Sequence, residues 1–301
     1  MPGKVKSADI AMTTIDGTPP APVAVPDPKP LNLADYVFVA KMDNIKSVVN
    51  ILKCIQIREF ATLHITERGI HVTVEDVGSF QGSTYLKKEL FSGYHLTKAA
   101  INFKIKIKTL VECMQMCMSP ADTTGRLTYQ GAGRPFSVLL SEAGARHFTE
   151  CKINTLEGGR DDVFPFHTDD LVCRIISTDE CIRDAFTTLL AFPINSFEIS
   201  VRNTSANLTL KTTSDNVISE VIIDKDSDLV ESFVCIKEGT YRYRPKLMKN
   251  AIKPLQIAQK VSLRIDDTGT ILLQFMVKTD TDVDCFVELF CAPELDLDED
   301  I

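Results

Sequence analysis

The residues whose chemistry could do the most in this 301-residue chain are its histidines, its paired carboxylates, its cysteines and the cations on its helix-like runs. His64, His71, His95, His147 and His167 are spread along the chain with no two at metal-ligand spacing, so neither a zinc site nor a histidine-driven triad is expected. The pairs Asp161-Asp162, Asp169-Asp170 and Asp266-Asp267 could hold two divalent ions for phosphodiester cleavage, the chemistry of a 3′–5′ exonuclease. Neighbouring residues on a strand point to opposite faces, however, so each pair makes a poor two-ion clamp and reads better as a turn or helix cap. Gly131-Ala132-Gly133 lies between two strands, which suits a hairpin turn and not a nucleotide loop. The nine cysteines are scattered, and Cys113 and Cys117 sit in a helix-like run, so they read as reduced core thiols of an intracellular protein. No catalytic residue, metal or cofactor is expected.

The cations are more informative. Lys46, Asn50 and Lys53 fall on one polar stripe of a helix, opposite an apolar stripe. Lys108 starts a second helix, Arg183 lies on a third, and Lys246, Lys249 and Lys253 lie on or just after a fourth. Any one of them could be an ordinary solvated residue. Their recurrence on corresponding helices of an acidic chain points instead to one concave surface. Such a surface meets phosphates without reading bases, giving sequence-independent, salt-sensitive contact. The net charge is −8, but Glu294, Asp296, Asp298, Glu299 and Asp300 crowd the end, and setting those five aside leaves about −3. A local basic face is compatible with that balance.

The elements that must position these residues follow a repeated order. Tyr36 to Ala40 reads as a strand, and Asp43 then caps a helix bearing Ile45, Val48, Val49, Leu52 and Ile55 on one face. Short strands follow at 62–66, 69–75 and 82–87. Phe103, Ile105 and Ile107 then alternate with lysines before a second helix from Thr109 to Met118, and three more strands lie near 125–130, 136–141 and 146–153. The second half repeats the series, with a strand from Leu171 to Ile176 and Asp179 capping a helix bearing Ile182, Phe186 and Leu189. A shift of 137 places Ile182 on Ile45, Arg183 on Lys46, Thr187 on Asn50, Ile222 on Tyr85 and Leu247 on Leu110.

The expected organisation is therefore a disordered Pro-rich extension at 1–32, a first domain at 33–153, a linker at 154–165, a second domain at 166–293 and an acidic tail at 294–301. At roughly 150 residues per domain, the length allows two modest cores. No apolar run approaches the roughly 20 residues that span a bilayer, and the N-terminus lacks a signal-peptide pattern, so a soluble, non-secreted protein with no membrane partner is expected. Antiparallel sheets leave an unpaired edge at each end of a duplicated unit, which invites assembly into a ring.

The duplicated strand-helix units and the closing Phe290-Cys291-Ala292-Pro293-Glu294 resemble the sliding-clamp family of proliferating cell nuclear antigen (PCNA), and more narrowly the Rad-one subunits of the nine-one-one checkpoint clamp. Ile51 to Ile55, Arg58 to Thr62, Gly69 to Glu75, Cys151 to Thr155, Lys225 to Leu229 and Lys260 to Arg264 carry the resemblance, which covers about 35 to 293. The Pro-rich extension departs from the pattern. The resemblance implies an α+β fold of duplicated PCNA-like domains, with antiparallel sheets outside and two helices per domain inside. It implies a nuclear, non-enzymatic heterotrimer with Rad-nine-like and Hus-one-like subunits, placed around double-stranded DNA by an ATP-dependent clamp loader to serve checkpoint and repair proteins. A homotrimeric replication clamp is the alternative within the fold, and an exonuclease the alternative outside it. Carried over by position, Lys46, Lys53, Lys108, Arg183, Lys246, Lys249 and Lys253 would line the hole. The strand holding Arg146, Phe148, Cys151 and Ile153, and that holding Val217, Ser219, Val221 and Ile223, would pair with neighbouring subunits. Val77, Leu156, Val163 and Pro293 would bound a groove for a partner peptide.

Overall fold

The computed structural model describes residues 31–76, 78–117, 122–142, 147–159, 164–204 and 207–294. The expected extension up to residue 30 and the tail from 295 lie outside the described residues, as do Val77, Arg146, Asp161, Asp162 and Val163.

The first repeat runs β1 (Phe38–Met42), α1 (Lys46–Cys54), β2 (Phe60–Thr66), β3 (Gly69–Asp76), β4 (Phe80–Lys87), β5 (Gly93–Leu96), β6 (Ala100–Lys106), α2 (Ile107–Met114), β7 (Thr123–Tyr129), β8 (Phe136–Glu142) and β9 (Phe148–Ile153). After the short β10 (Leu156–Glu157), the second repeats it: β11 (Leu171–Thr178), α3 (Asp179–Leu189), β12 (Ser196–Arg202), β13 (Asn207–Thr213), β14 (Ile218–Asp224), β15 (Val230–Cys235), β16 (Gly239–Tyr243), α4 (Pro245–Met248), α5 (Ile252–Leu255), β17 (Lys260–Asp266), β18 (Ile271–Lys278) and β19 (Asp284–Cys291).

Strands such as β2 and β13 alternate with their sequence period, whereas β4 and β8 are buried almost throughout. In β2, Ala61, Leu63 and Ile65 are buried while the residues between them are half-exposed, because successive side chains leave a strand on opposite faces. The helices obey theirs: α1 buries Val48, Val49, Ile51 and Leu52 and leaves Lys46 in solvent. Gly131 and Gly133 both take positive φ in the turn between β7 and β8, which confirms the hairpin reading of that glycine pair.

Strand pairing repeats as faithfully as strand order. In the first repeat the chain pairs β5-β1-β7-β8-β9 and β6-β2-β3-β4; in the second it pairs β15-β11-β17-β18-β19 and β16-β12-β13-β14. The two repeats join where β19 of the second pairs antiparallel with β4 of the first, Leu289 opposite Gly82 and Val287 opposite Thr84. One continuous ten-stranded sheet results, from β10 at one end to β15 at the other.

The helices gather in one row, α2 touching α1, α1 touching α5 and α5 touching α3, so helices of both repeats form one layer. The β18–β19 turn reinforces that contact: Ser47 Oγ accepts from the Asp280 amide at 3.2 Å, and Asp280 lies 3.9 Å from the Lys46 ammonium.

Several local expectations need correction. Asp43 is not a helix cap; it accepts from the Ser92 hydroxyl at 2.6 Å, while Asn44 accepts from the Lys46 amide at 2.8 Å. Asp43 still belongs to the exit from β1. Asp179 is the first residue of α3 and not its cap, which is Thr178 in extended conformation, and the Asp179 carboxylate binds Arg183 one turn on. The second helix starts at Ile107 and ends at Met114, because Ile107 and Leu110 both reach the core directly from β6. The segment expected to be only a linker contains β10, which adds to β6.

Candidate nucleic-acid interface

The row α2–α1–α5–α3 presents its apolar faces to the strands, so its polar faces form the surface on which the predicted cations can be placed. Lys46, Lys108, Lys246, Lys249 and Lys253 are exposed, and Lys53 and Arg183 are half-buried. They differ in whether their charge is already answered. Lys108 pairs with Glu112 at 3.7 Å, Arg183 with Asp179 and with Asp184 at 3.8 Å, and Lys46 with Asp280 at 3.9 Å. Lys53, Lys246, Lys249 and Lys253 have no ion pair among the described residues. The unanswered positive charge thus sits on α1 and on the α4–α5 stretch, the two helical segments that meet across the repeats. Lys253 reaches close enough to Cys54 of α1 to pull its thiol down a little, against the burial that pushes it up to about 12. Pro245 opens the fourth helix at its first position, and a 3-10 turn at Lys249–Ala251 divides it from α5.

The two edges expected to face neighbours are both free. Among the described residues, strand β9 pairs only with β8, and β14 only with β13. On β9, Phe148 is exposed, Cys151 half-buried and Ile153 buried. Val217, just before β14, and Ile218 and Ile222 on it are exposed, Ser219 and Val221 half-buried and Ile223 buried. These edges answer to β19 and β4, the two strands that pair inside the chain. Residues that the sequence reading missed adjoin both edges. Met116 stands 3.5 Å from the Cys151 sulfur, and Phe192, 70% exposed, lies beside Ser219. The signal was present in Phe192-Pro193-Ile194, an apolar run just past the end of a helix.

The expected peptide groove is not assembled by its described members. Leu156 lies on β10 at the end of the ten-stranded sheet, whereas Pro293 follows β19, five strand positions away, about 24 Å at roughly 4.8 Å per strand. The sheet surface between them is mixed, carrying Arg58 paired to Asp76 together with Phe60, Thr62, Thr73, Glu75 and Lys104. Apolar cover there comes from Phe164 and Phe166, whose rings pack on Phe290 at 5.8 and 5.7 Å.

Of the acidic pairs, Asp161-Asp162 lies outside the described residues, and the other two occupy bends and turns. Asp266 is buried and accepts from the amides of Thr268, Thr270 and His167 at 3.0, 2.9 and 3.0 Å, pinning the β17–β18 turn. His167, Asp170 and Asp267 bring their ligand atoms within 4.8 Å of one another, but all three are exposed, and Asp267 serves chiefly to hold the His167 ring and raise its pKa by hydrogen bond and charge. Burial drives the thiols of Cys173 and Cys291 up to about 12, which leaves them poor nucleophiles. Among the described residues, no helix is long and apolar enough to cross a membrane.

A family model described as "Repair protein Rad1/Rec1/Rad17" matches residues 37–277. The chain belongs to that family. It is 34% identical over 269 residues to the "Cell cycle checkpoint protein RAD1" of Mus musculus, covering 88% of this chain and 95% of that protein. It is 33% identical over 268 residues to the protein of the same description from Homo sapiens, covering 88% and 94%. Among solved structures it resembles the proliferating cellular nuclear antigen of Entamoeba histolytica, with a TM-score of 0.71 at 15% identity over 86% of this chain and all of that one. This Rad1-family chain therefore has the duplicated α+β fold of PCNA-like sliding clamps.

Proposed function

We propose that this chain is one subunit of a heterotrimeric ring clamp that encircles double-stranded DNA at sites of damage in the nucleus, where the ring holds checkpoint and repair proteins. Its two partners are clamp subunits of the Rad-nine-like and Hus-one-like kinds, and an ATP-dependent loader places the ring. The observation that carries this reading is the unused pair of edges: β14 and β9 correspond to β4 and β19, which already pair inside the chain. A unit with one free edge of each kind propagates head to tail and closes when its rotation allows. The row of helices then faces the hole. Lys53, Lys246, Lys249 and Lys253 meet phosphates there, and enclosure makes base contacts unnecessary. Nothing in this role requires catalysis.

The test is the mass in solution of the chain alone and of its mixture with the two partner subunits, by light scattering after size separation. A monomer alone and a one-to-one-to-one assembly on mixing is the expected result. A trimer formed by the chain alone would replace this reading with a homotrimeric replication clamp.

A further inference from the structure

The free edge at β14 borders an open groove whose counterpart in the first repeat is filled. Leu189, Phe192, Pro193, Ile194, Val217 and Ser219 line a groove of about 480 Å³. Under the 137-residue correspondence, Phe192, Ile194 and Ser219 fall on Ile55, Ile57 and Gly82. A Cβ at Gly82 would meet Ile57 Cδ1 at 3.1 Å, Leu289 Cδ2 at 3.3 Å and Ile55 Cγ2 at 3.7 Å, so Leu289 of β19 is wedged over Gly82 against both isoleucines. There Ile55 is fully buried and Leu289 nearly so; Phe192, in the place of Ile55, stands in solvent.

Strand register identifies the residue that plays the part of Leu289 on the other free edge. Ala40 pairs with Leu127 as Ser177 pairs with Val261. Leu127 pairs with Val138 as Val261 pairs with Phe275, and Val138 with Cys151 as Phe275 with Val287. Cys151 thus answers to Val287, and Ile153 to Leu289.

We infer that the groove of Phe192, Ile194 and Ser219 is a specificity pocket for one branched aliphatic side chain, presented by the edge strand of the neighbouring clamp subunit at the position Leu289 holds in β19 and Ile153 holds in β9. This rests on the ring reading and adds the contact that selects the neighbour. The flanking position sharpens the choice. Ser83 faces Glu288 in the internal joint, but Glu220 replaces Ser83 on β14, and a carboxylate directly opposite Glu220 would repel it. The entering strand therefore carries a neutral or basic residue just before its aliphatic one, as Lys152 precedes Ile153 here.

The deciding experiment replaces Phe192 with the photo-cross-linker p-benzoylphenylalanine, an aromatic exchange at a solvent-facing position, and irradiates the chain assembled with its two partner subunits. Mass spectrometry is expected to find the cross-link on one partner's edge strand, at or beside the residue aligned with Ile153. Cross-links only to other segments, or none in an assembled ring, would overturn the pocket while leaving the ring intact. Failure of the unmodified chain to assemble would instead overturn the ring and the pocket with it. In parallel, Ser219→Phe fills the groove and Phe192→Ser removes its wall. Each is expected to weaken assembly at least tenfold without moving the melting temperature of the isolated chain, and unchanged assembly in both would overturn the pocket.

Discussion

The joint between β4 and β19 and the open edges β14 and β9 are equivalent places in the two repeats, one closed and one not. In the closed joint, Phe80, Thr84, Val287, Leu289 and Cys291 are buried, and the Thr84 hydroxyl donates to the Phe286 carbonyl at 2.9 Å across the seam. At the open β14 edge the places of Phe80 and Thr84 are taken by Val217, 57% exposed, and the half-buried Val221, and the other face of the strand holds Ile218 and Ile222, 66% and 61% exposed; β9 adds the exposed Phe148. The open β14 is more apolar than the β4 strand it matches, where Gln81 and Tyr85 stand in place of Ile218 and Ile222. Apolar side chains kept in water on an unpaired edge are a liability for a monomer, and the edges also carry Glu150, Lys152 and Glu220, which discourage indiscriminate pairing. In the proposed ring, the closed joint is one finished copy of the contact between subunits and the two open edges are its unfinished halves.

The comparison is broken most forcefully from the closed side. Leu289→Ala empties the filled groove and is expected to cost about 2–5 kcal/mol in urea unfolding of the isolated chain, the usual range for a buried leucine. A loss below 1 kcal/mol would mean that the two repeats are not held together at this seam. On the open side, Ile218→Ser with Ile222→Ser should shift stability by no more than about 0.5 kcal/mol per site, since both are exposed. The same double change should weaken assembly with partner subunits by tenfold or more in light-scattering titrations. Reversing charge at Lys46, Lys246 and Lys249 should leave ring assembly intact and speed loss of the loaded ring from DNA, most visibly at low salt where phosphate contacts are strongest. Equal retention times for the variant and the original chain would remove these residues from the DNA-facing surface.

Cysteine chemistry offers a milder probe. Burial pushes the Cys291 thiol in the closed joint up to about 12, and a raised pKa keeps it protonated and unreactive at pH 8. An alkylating reagent at that pH should spare Cys291, label the half-buried Cys151 on the open β9 and lose access to Cys151 on assembly. Labelling of Cys151 that is equal before and after assembly would place the contact elsewhere. The smallest effect belongs to Lys46→Ala, which removes an exposed ion pair to Asp280 across the repeats and should cost at most about 1 kcal/mol.

Much of this was legible in the sequence for a definite reason. Apolar period marks faces, so Val48, Val49 and Leu52, and again Ile182, Phe186 and Leu189, identified buried helix stripes before any coordinates. The lysines of α1 and of the α4–α5 stretch were found because polar stripes are defined by the same period. Caps at Asp43 and Asp179 were misplaced by a residue or more, since a cap depends on where the preceding strand releases the chain. Strand β10 was missed because two residues carry no period. Of the groove expected from Val77, Leu156, Val163 and Pro293, only Leu156 and Pro293 are described, and they lie at strands five positions apart, a separation that leaves no trace in local spacing.

The sequence by itself determined the duplication, the order of strands and helices, their buried faces and the family, all of which follow from side-chain period, turn residues and identity along the chain. Only the tertiary structure decided that β4 pairs with β19 some 200 residues away, that Leu289 lies over Gly82, and that Phe192 stands beside an open groove. Backbone hydrogen bonds are alike for every strand, so partner choice rests on how the packed layers bring edges together, and no local pattern records that.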